Sequence, residues 1–285
     1  MTGAFVETMK MIKIEHSIFA LPFALAAAFM AADGFPPARV LGLIVLAMVF
    51  ARSAAMAFNR WLDAEIDARN PRTAIRSIPA GRLTRGYALG FTLACSAGFI
   101  ATAWFLNPLA FYLSPLVLCW LLGYSFTKRF TSFCHVWLGV ALGLAPFGAW
   151  VAVRGEIHWL PLLLGVAVTG WTAGFDIIYA CQDLDFDKDE KLNSIPVRLG
   201  VLRSLWLARL LHLGMFAILV YLGQYLELGW LYTLGLAIVA GCLIYEHSLV
   251  RGGNLDRVDL AFFTLNGIVS LVWGLTTSAA IVFNA

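Results

Sequence analysis

Trp159-Leu-Pro-Leu-Leu-Leu-Gly-Val-Ala-Val-Thr-Gly-Trp-Thr-Ala-Gly-Phe-Asp176-Ile-Ile-Tyr179-Ala-Cys-Gln-Asp183-Leu-Asp185-Phe-Asp187 is an uncharged apolar run that ends in carboxylates. A run of this length predicts a helix, because a chain in hydrocarbon must satisfy its backbone polar groups internally. Asp is among the residues a bilayer tolerates least, at roughly 2.5–3.5 kcal/mol for one at a span centre. A second apolar run, Ala38–Phe58, leads in the same way into Asn59-Arg-Trp-Leu-Asp63-Ala-Glu-Ile-Asp67. Lipid exposure of Asp63, Asp67, Asp176 and Asp183 together would cost on the order of 10–14 kcal/mol as an upper bound. That rivals the whole stability of a typical domain, ~5–15 kcal/mol. These carboxylates are therefore expected to face a polar cavity and to hold something cationic.

The rest of the chain agrees with a membrane setting. Apolar residues make up 61% and charged residues 13% of the chain, and the mean hydropathy is +0.81, values of a polytopic membrane protein. Nine apolar segments are read as spans: about Ser17–Ala32, Ala38–Phe58, Tyr87–Leu106, Leu109–Phe126, Phe133–Val153, Trp159–Cys181, Leu205–Leu222, Trp230–Tyr245 and Leu260–Phe283. The first, preceded by Lys10 and Lys13, imitates a signal peptide, but the spans that follow favour a retained helix. The fold expected is an all-α membrane protein, with nine transmembrane helices bundled around a central apolar cavity open to the cytoplasmic face. Residues 1–285 are read as a single domain.

Charge orients that bundle. With the N-terminus inside, Lys10, Lys13 and the loops after spans two, four, six and eight carry nearly all the basic residues, while the opposite loops hold only Arg39 and Arg154. The positive-inside rule then makes the basic face cytoplasmic, and both aspartate clusters lie on it. A bacterial inner membrane with the site facing the cytoplasm is the expected location. The five cysteines are scattered with no Cys-x-x-Cys, and the five histidines show no ligand spacing, so neither a disulfide framework nor a zinc site is indicated. Nothing points to nucleic acid. Pro22, Pro115 and Pro146 are expected to kink helices, and Gly139-x3-Gly143 to mark close helix packing.

The clusters carry the chemistry. Positions 59, 63 and 67 advance by four and stay on one helical stripe; Asp176, Asp183 and Asp187 do the same by seven and four, with Tyr179 beside them. The donors are all oxygen, which suits a hard cation such as Mg²⁺ or Ca²⁺. Mg²⁺ is commonly held by one or two carboxylates while substrate phosphates complete its shell, so two sparse clusters match Mg²⁺ ions bridged by a diphosphate. Arg72, Arg76, Lys128, Arg129 and Arg198 would balance the remaining phosphate charge. For Lys128 and Arg129 the competing reading is plain anchoring at the headgroups. For Asp185, Asp189 and Glu190 it is a solvated acidic turn. Arg52, inside the second span, is expected to point into the bundle or snorkel.

Three stretches together resemble the UbiA superfamily of intramembrane prenyltransferases. Asn59-Arg-Trp-Leu-Asp63-Ala-Glu-Ile-Asp67-Ala-Arg-Asn-Pro-Arg72-Thr73 is similar to the first signature and Asp176 to Asp187 to the second. Tyr124-Ser-Phe-Thr-Lys128-Arg129-Phe-Thr131 is similar to the basic loop between them. The resemblance implies nine helices, an isoprenyl diphosphate bound through Mg²⁺, and transfer of the prenyl group to an aromatic acceptor. It implies metal contact by Asn59, Asp63, Asp67, Asp176, Asp183 and Asp187, with Asp63, Asp67, Asp183 and Asp187 as the catalytic carboxylates. Diphosphate binding falls to Asn59, Arg72, Lys128, Arg129, Tyr179 and Arg198. Many quinone-pathway members have Asn-Asp where this chain has Asn59-Arg60, and Thr73-Ala-Ile-Arg76-Ser-Ile-Pro79-Ala-Gly81 replaces the usual Asn-Arg-Pro-Leu. With His16-Ser-Ile-Phe-Ala-Leu-Pro22, these features resemble the 4-hydroxybenzoate polyprenyltransferase-like subgroup, some of which are associated with the futalosine route to menaquinone. The expected partners are a polyprenyl diphosphate, an aromatic acid acceptor and the lipid bilayer. The acceptor is 4-hydroxybenzoate or a dihydroxynaphthoate, with Arg60 and Arg76 as its candidate contacts. Two rivals remain: a CDP-alcohol phosphotransferase, whose Asp-Gly-x2-Ala-Arg signature is not found, and a cation transporter, which would place its acids near the bilayer midplane.

Overall fold

A computed structural model describes residues 2–13 and 19–284, and among them every regular element is a helix. In chain order these are α1 (Thr2–Ile12), α2 (Leu21–Ala32), α3 (Ala38–Leu62), α4 (Ala64–Arg69), α5 (Arg85–Leu106), α6 (Pro108–Thr127) and α7 (Cys134–Arg154). Then follow α8 (Trp159–Ala180), α9 (Leu184–Asp189), α10 (Ile195–Leu199), α11 (Val201–Tyr225), α12 (Gly229–Leu249) and α13 (Asn266–Asn284), the last entered through a π-helical turn at Leu260–Leu265. Among the described residues eight helices are long and apolar enough to cross a membrane, one fewer than the sequence reading counts. The difference is α2: its 12 residues span only ~18 Å at 1.5 Å per residue, short of a ~30 Å hydrocarbon core. Residues 14–18, which include His16 and the start of the expected first span, lie outside the described residues. Pro22 opens α2 at its first turn rather than kinking it, a position where no intrahelical donor is needed. Pro115 and Pro146 do stand inside helices.

The chain divides into two compact units, Met1–Ser17 with Gly42–Ser125, and Ile18–Leu41 with Phe126–Ala285. In the first, Met11, Ile12, Ala57, Ala64, Ile78, Leu83 and Ala88 form a shared core, drawn from α1, α3, α4, α5 and the loop before α5. Polar contacts fix α1 against that loop. Glu7 accepts from Arg82 Nε and Ser77 Oγ at 2.8 Å each, and the Thr8 and Tyr87 hydroxyls bond at 2.8 Å. The Arg82 guanidinium, with Lys10 and Ser77, holds the Glu7 carboxyl well below its usual range, at about 2. Thr84 caps α5 by accepting from the Tyr87 amide. Arg52 is half-buried and donates to the Lys13 carbonyl at 3.4 Å, so it reaches the end of α1 instead of lipid.

In the second unit the helices α2, α7, α8, α11, α12 and α13 contact one another in a closed circuit, each touching the next and α13 returning to α2. The tightest approach is α7 on α8. A Cβ on Gly139 would lie 2.5 Å from the Thr169 carbonyl oxygen, and one on Gly143 would strike the Gly165 carbonyl. The Gly139-x3-Gly143 pattern is therefore a backbone-to-backbone contact, as small residues allow between membrane helices. Aromatic rings fill the interior: Phe23 stacks on Trp273 with centroids 4.7 Å apart and tilts against Trp171 at 5.1 Å. Polar atoms are threaded through it as well. Trp171 Nε1 donates to Asn266 Oδ1 at 2.6 Å, and Asn266 Nδ2 donates to the fully buried Glu246 at 3.2 Å.

Candidate metal and diphosphate site

The first motif lies where α3 gives way to α4. Asp63 sits between the two helices, yet its amide bonds back to Asn59 O at 2.9 Å and the Asp67 amide to Asp63 O at 2.8 Å. The helix breaks at Asp63, whose backbone leaves the α-helical region, but these two bonds keep residues 59, 63 and 67 in sequence across the junction, and Asn59 Nδ2 donates to Asp63 Oδ2 at 3.1 Å. Asp63 and Asp67 are only 2% and 4% exposed, so neither is a solvated loop charge. Buried carboxylates need compensation, and Asp67 finds it nearby. Arg76 Nη1 meets Asp67 Oδ1 at 2.6 Å, Arg60 Nη1 approaches Oδ2 at 3.8 Å, and Thr73 Oγ1 donates to the Asp67 carbonyl at 2.9 Å. Arg60, 8% exposed, also donates to Asn59 Oδ1 at 3.3 Å. The two arginines named as acceptor contacts therefore both hold Asp67 here. Arg72 is exposed, with its amide fixed by Asn70 Oδ1 at 2.9 Å.

The second motif is arranged differently. Between α8 and α9 the helix tightens to a 3₁₀ turn over Cys181–Asp183. Asp183 closes that turn and Asp187 follows on α9. Asp176, Asp183 and Asp187 are half-buried, whereas Asp185 and Asp189 are exposed. Tyr179 lies flat near Phe262, with ring centroids 4.2 Å apart. Lys128 and Arg129 are half-buried and Arg198 is exposed on α10. The segment after the motif returns to the loop between α6 and α7: the Asn193 amide donates to Lys128 O at 2.7 Å. Ser194, the N-cap of α10, accepts from the Val197 amide at 3.3 Å and also bonds the Asp187 side chain.

One residue of this half escapes the sequence reading. His135, 3% exposed at the start of α7, has Nδ1 2.7 Å from Asp176 Oδ2, and its Nε2 accepts from the Ile195 amide at 3.3 Å. Ligand spacing along the chain is the wrong signal for it. An imidazole at the mouth of an apolar span, just after a basic loop, is the signal that was there.

The donors of both motifs suit a hard cation. Within either unit, among the described residues, no three His, Cys, Asp or Glu side chains gather as a ready metal cluster. That is compatible with Mg²⁺, which takes one or two carboxylates and leaves the rest of its shell to water and phosphate. The structural point in favour is Asp67 Oδ2, buried and without a hydrogen-bond partner.

The comparisons with known proteins follow the same line. The model of the UbiA prenyltransferase family matches residues 20–268. A 4-hydroxybenzoate octaprenyltransferase from Vibrio campbellii is 31% identical over 94% of this chain and 95% of its own. A solved apo structure of a UbiA homolog from Aeropyrum pernix is 34% identical, with a TM-score of 0.84 over 92% of this chain and 97% of that one. A UbiA homolog from Archaeoglobus fulgidus, solved with GPP and Mg²⁺, shares the fold at 20% identity and a TM-score of 0.70, over 96% of this chain and 99% of that one. The match reaches through α12 and into α13, beyond the part that carries the three motifs. With its all-helical membrane fold, its paired aspartate motifs and relatives aligned over nearly its full length, the chain belongs to the UbiA prenyltransferase family.

Proposed function

We propose that the chain catalyses Mg²⁺-dependent transfer of a polyprenyl group from polyprenyl diphosphate to an aromatic acid, foremost 4-hydroxybenzoate, in ubiquinone or menaquinone biosynthesis. The observation that carries the reading is the buried carboxylate pair of the first motif, in which Asp67 Oδ2 has no hydrogen-bond partner. The acceptor is supported by the relative named 4-hydroxybenzoate octaprenyltransferase and the metal by the neighbour solved with GPP and Mg²⁺.

In this reading Asn59, Asp63, Asp67, Asp176, Asp183 and Asp187 hold Mg²⁺, which when bound supplies Lewis-acid polarisation of the diphosphate oxygens. Arg72, Lys128, Arg129 and Arg198 meet the remaining phosphate charge, and Tyr179 lies beside the diphosphate. These contacts strengthen as the allylic C–O bond breaks and charge collects on the leaving diphosphate, so they lower the barrier instead of merely binding substrate. The ring carbon ortho to the acceptor's phenolic hydroxyl attacks the allylic carbon and then loses its proton. Arg60 and Arg76 are the candidates for the acceptor's carboxylate, which a guanidinium fork suits. An apolar cavity open to the cytoplasmic face takes the polyprenyl tail and keeps water from the cation. Residues 1–285 act as one domain in a bacterial inner membrane, with the basic loops on the cytoplasmic side.

The test is product identification. Purified protein is incubated with Mg²⁺, a polyprenyl diphosphate and a panel of phenolic and naphthoic acids, and products are weighed by mass spectrometry. Prenylated 4-hydroxybenzoate is expected, lost in EDTA and nearly lost in Asp63→Ala or Asp183→Ala protein. A prenylated dihydroxynaphthoate in its place would move the acceptor to the second candidate. Full turnover in EDTA would remove the metal, and no product from any aromatic acid would overturn the reading.

A further inference from the structure

We propose that His135 is a positioning residue that joins the orientation of Asp176 to the docking of the segment after the second motif. The proposal rests on the reading that Asp176 is a metal ligand. The ring bridges α8 and α10, which also share a buried core through Ile177, Ile178 and Ile195. Its Nδ1 lies 2.7 Å from Asp176 Oδ2 on α8, and its Nε2 lies 3.3 Å from the amide of Ile195, the first residue of α10. A backbone amide can only donate, so Nε2 must accept, and the ring proton sits on Nδ1 and is donated to the carboxylate. One end of the ring thereby fixes which oxygen of Asp176 is engaged and leaves the other free for a cation. The other end holds the chain.

The neighbouring contacts show that this return of the chain is built, not incidental. Asn193 is fixed on both sides, by its amide to Lys128 O at 2.7 Å and by its carbonyl, which accepts from Cys134 Sγ at 3.6 Å. Ser194 caps α10 and bonds Asp187. His135 is thus the member of this return that also touches a carboxylate of α8. An outer-sphere partner that orients a metal-binding carboxylate commonly changes metal affinity 10–100-fold when it is removed. The arrangement adds a consequence: a change at either end of the ring should be felt at the other.

Two substitutions separate the ends. In His135→Asn the side-chain amide keeps a donor near the Nδ1 position and loses the acceptor at Nε2; in His135→Gln the carbonyl oxygen takes the Nε2 position and the donor to Asp176 is lost. Two measurements are made on each full-length, detergent-purified protein: Mn²⁺ binding by electron paramagnetic resonance, and the rate of trypsin cleavage at Lys188 and Lys191. Asp176→Asn serves as the reference for loss of the carboxylate. His135→Gln is expected to weaken Mn²⁺ about 10-fold or more with little change in cleavage. His135→Asn is expected to keep Mn²⁺ affinity within about three-fold of wild type and to be cut several-fold faster. If Asp176→Asn weakens Mn²⁺ and neither His135 variant changes either measurement, the positioning role is refuted while the metal reading stands. If both variants lose binding and protection together with a matching fall in Tm, His135 is a folding residue only and the proposal falls. If Asp176→Asn binds Mn²⁺ like wild type, the metal reading of Asp176 fails, and the proposal with it.

Discussion

Removing Arg76 should destabilise the first unit through Asp67, and the size of the effect follows from the burial of both groups. The pair is 2.6 Å apart, with side chains 23% and 6% exposed, and Arg60 remains 3.8 Å from the other carboxylate oxygen. Breaking a buried pair by deleting one partner costs roughly 3–5 kcal/mol. Water at the partly open Arg76 and the surviving Arg60 offset part of that, which brings Arg76→Ala to about 2 kcal/mol, a factor of about 30 in the unfolding equilibrium. Asp67→Asn removes the carboxylate and leaves two arginines side by side, so it too should destabilise, by about 1–2 kcal/mol. If the pair is what Arg76 contributes, the double variant loses less than the sum, with a coupling of at least ~1 kcal/mol. The assay is an SDS-driven unfolding titration of the four proteins in detergent micelles with EDTA present, so that no cation substitutes for Arg76. Coupling below ~0.5 kcal/mol, the level at which independent sites add, would refute the reasoning and leave Arg76 a surface charge.

The Glu7 clamp makes a pH prediction: its folded pKa, about 2, lies below the ordinary 4.5, so its stabilisation is complete above pH 4.5 and is lost as pH falls from 4.5 towards 2. The protection of the α1 amides from hydrogen exchange, taken relative to the intrinsic rate at each pH, should fall across that window in wild type and be low with no such step in Glu7→Gln. Gly143→Leu should force α7 from α8 and cost about 3 kcal/mol, whereas Gly148→Leu on the same helix, where a Cβ meets nothing within 4 Å, should be near neutral; equal Tm losses would contradict the contact. A cysteine at Lys191 should be labelled only from the cytoplasmic side and one at Arg154 only from outside, and the reverse pattern would turn the proposed topology over.

Most of the architecture can be read before any coordinates. Apolar runs such as Trp159–Phe175 report helices directly, since hydrocarbon leaves the backbone no other way to bond, and Gly139-x3-Gly143 reports a close crossing because only hydrogen fits between two backbones. The segment Ser17–Ala32 is apolar throughout and reads as a span; among its described residues Leu21–Ala32 form the helix, with most of its side chains buried against protein. The carboxylate spacing of both motifs runs through a break in the α-helix, at Asp63 in the first and at the 3₁₀ segment Cys181–Asp183 in the second. A spacing rule assumes one helical pitch and has no means of detecting a change of pitch.

What the sequence by itself determined is the class of molecule: a helical membrane protein with carboxylates where charge is costly, in motifs that mark a prenyltransferase family. What only the tertiary structure decided is which groups answer those carboxylates. Arg76 and Arg60 turn to Asp67, nine and seven positions away along the chain, and His135 turns to Asp176, separated by 41 residues. Periodicity carries information only about residues on the same helix. The partner of a buried charge is set by which helices and loops pack around it, and that is a property of the folded chain.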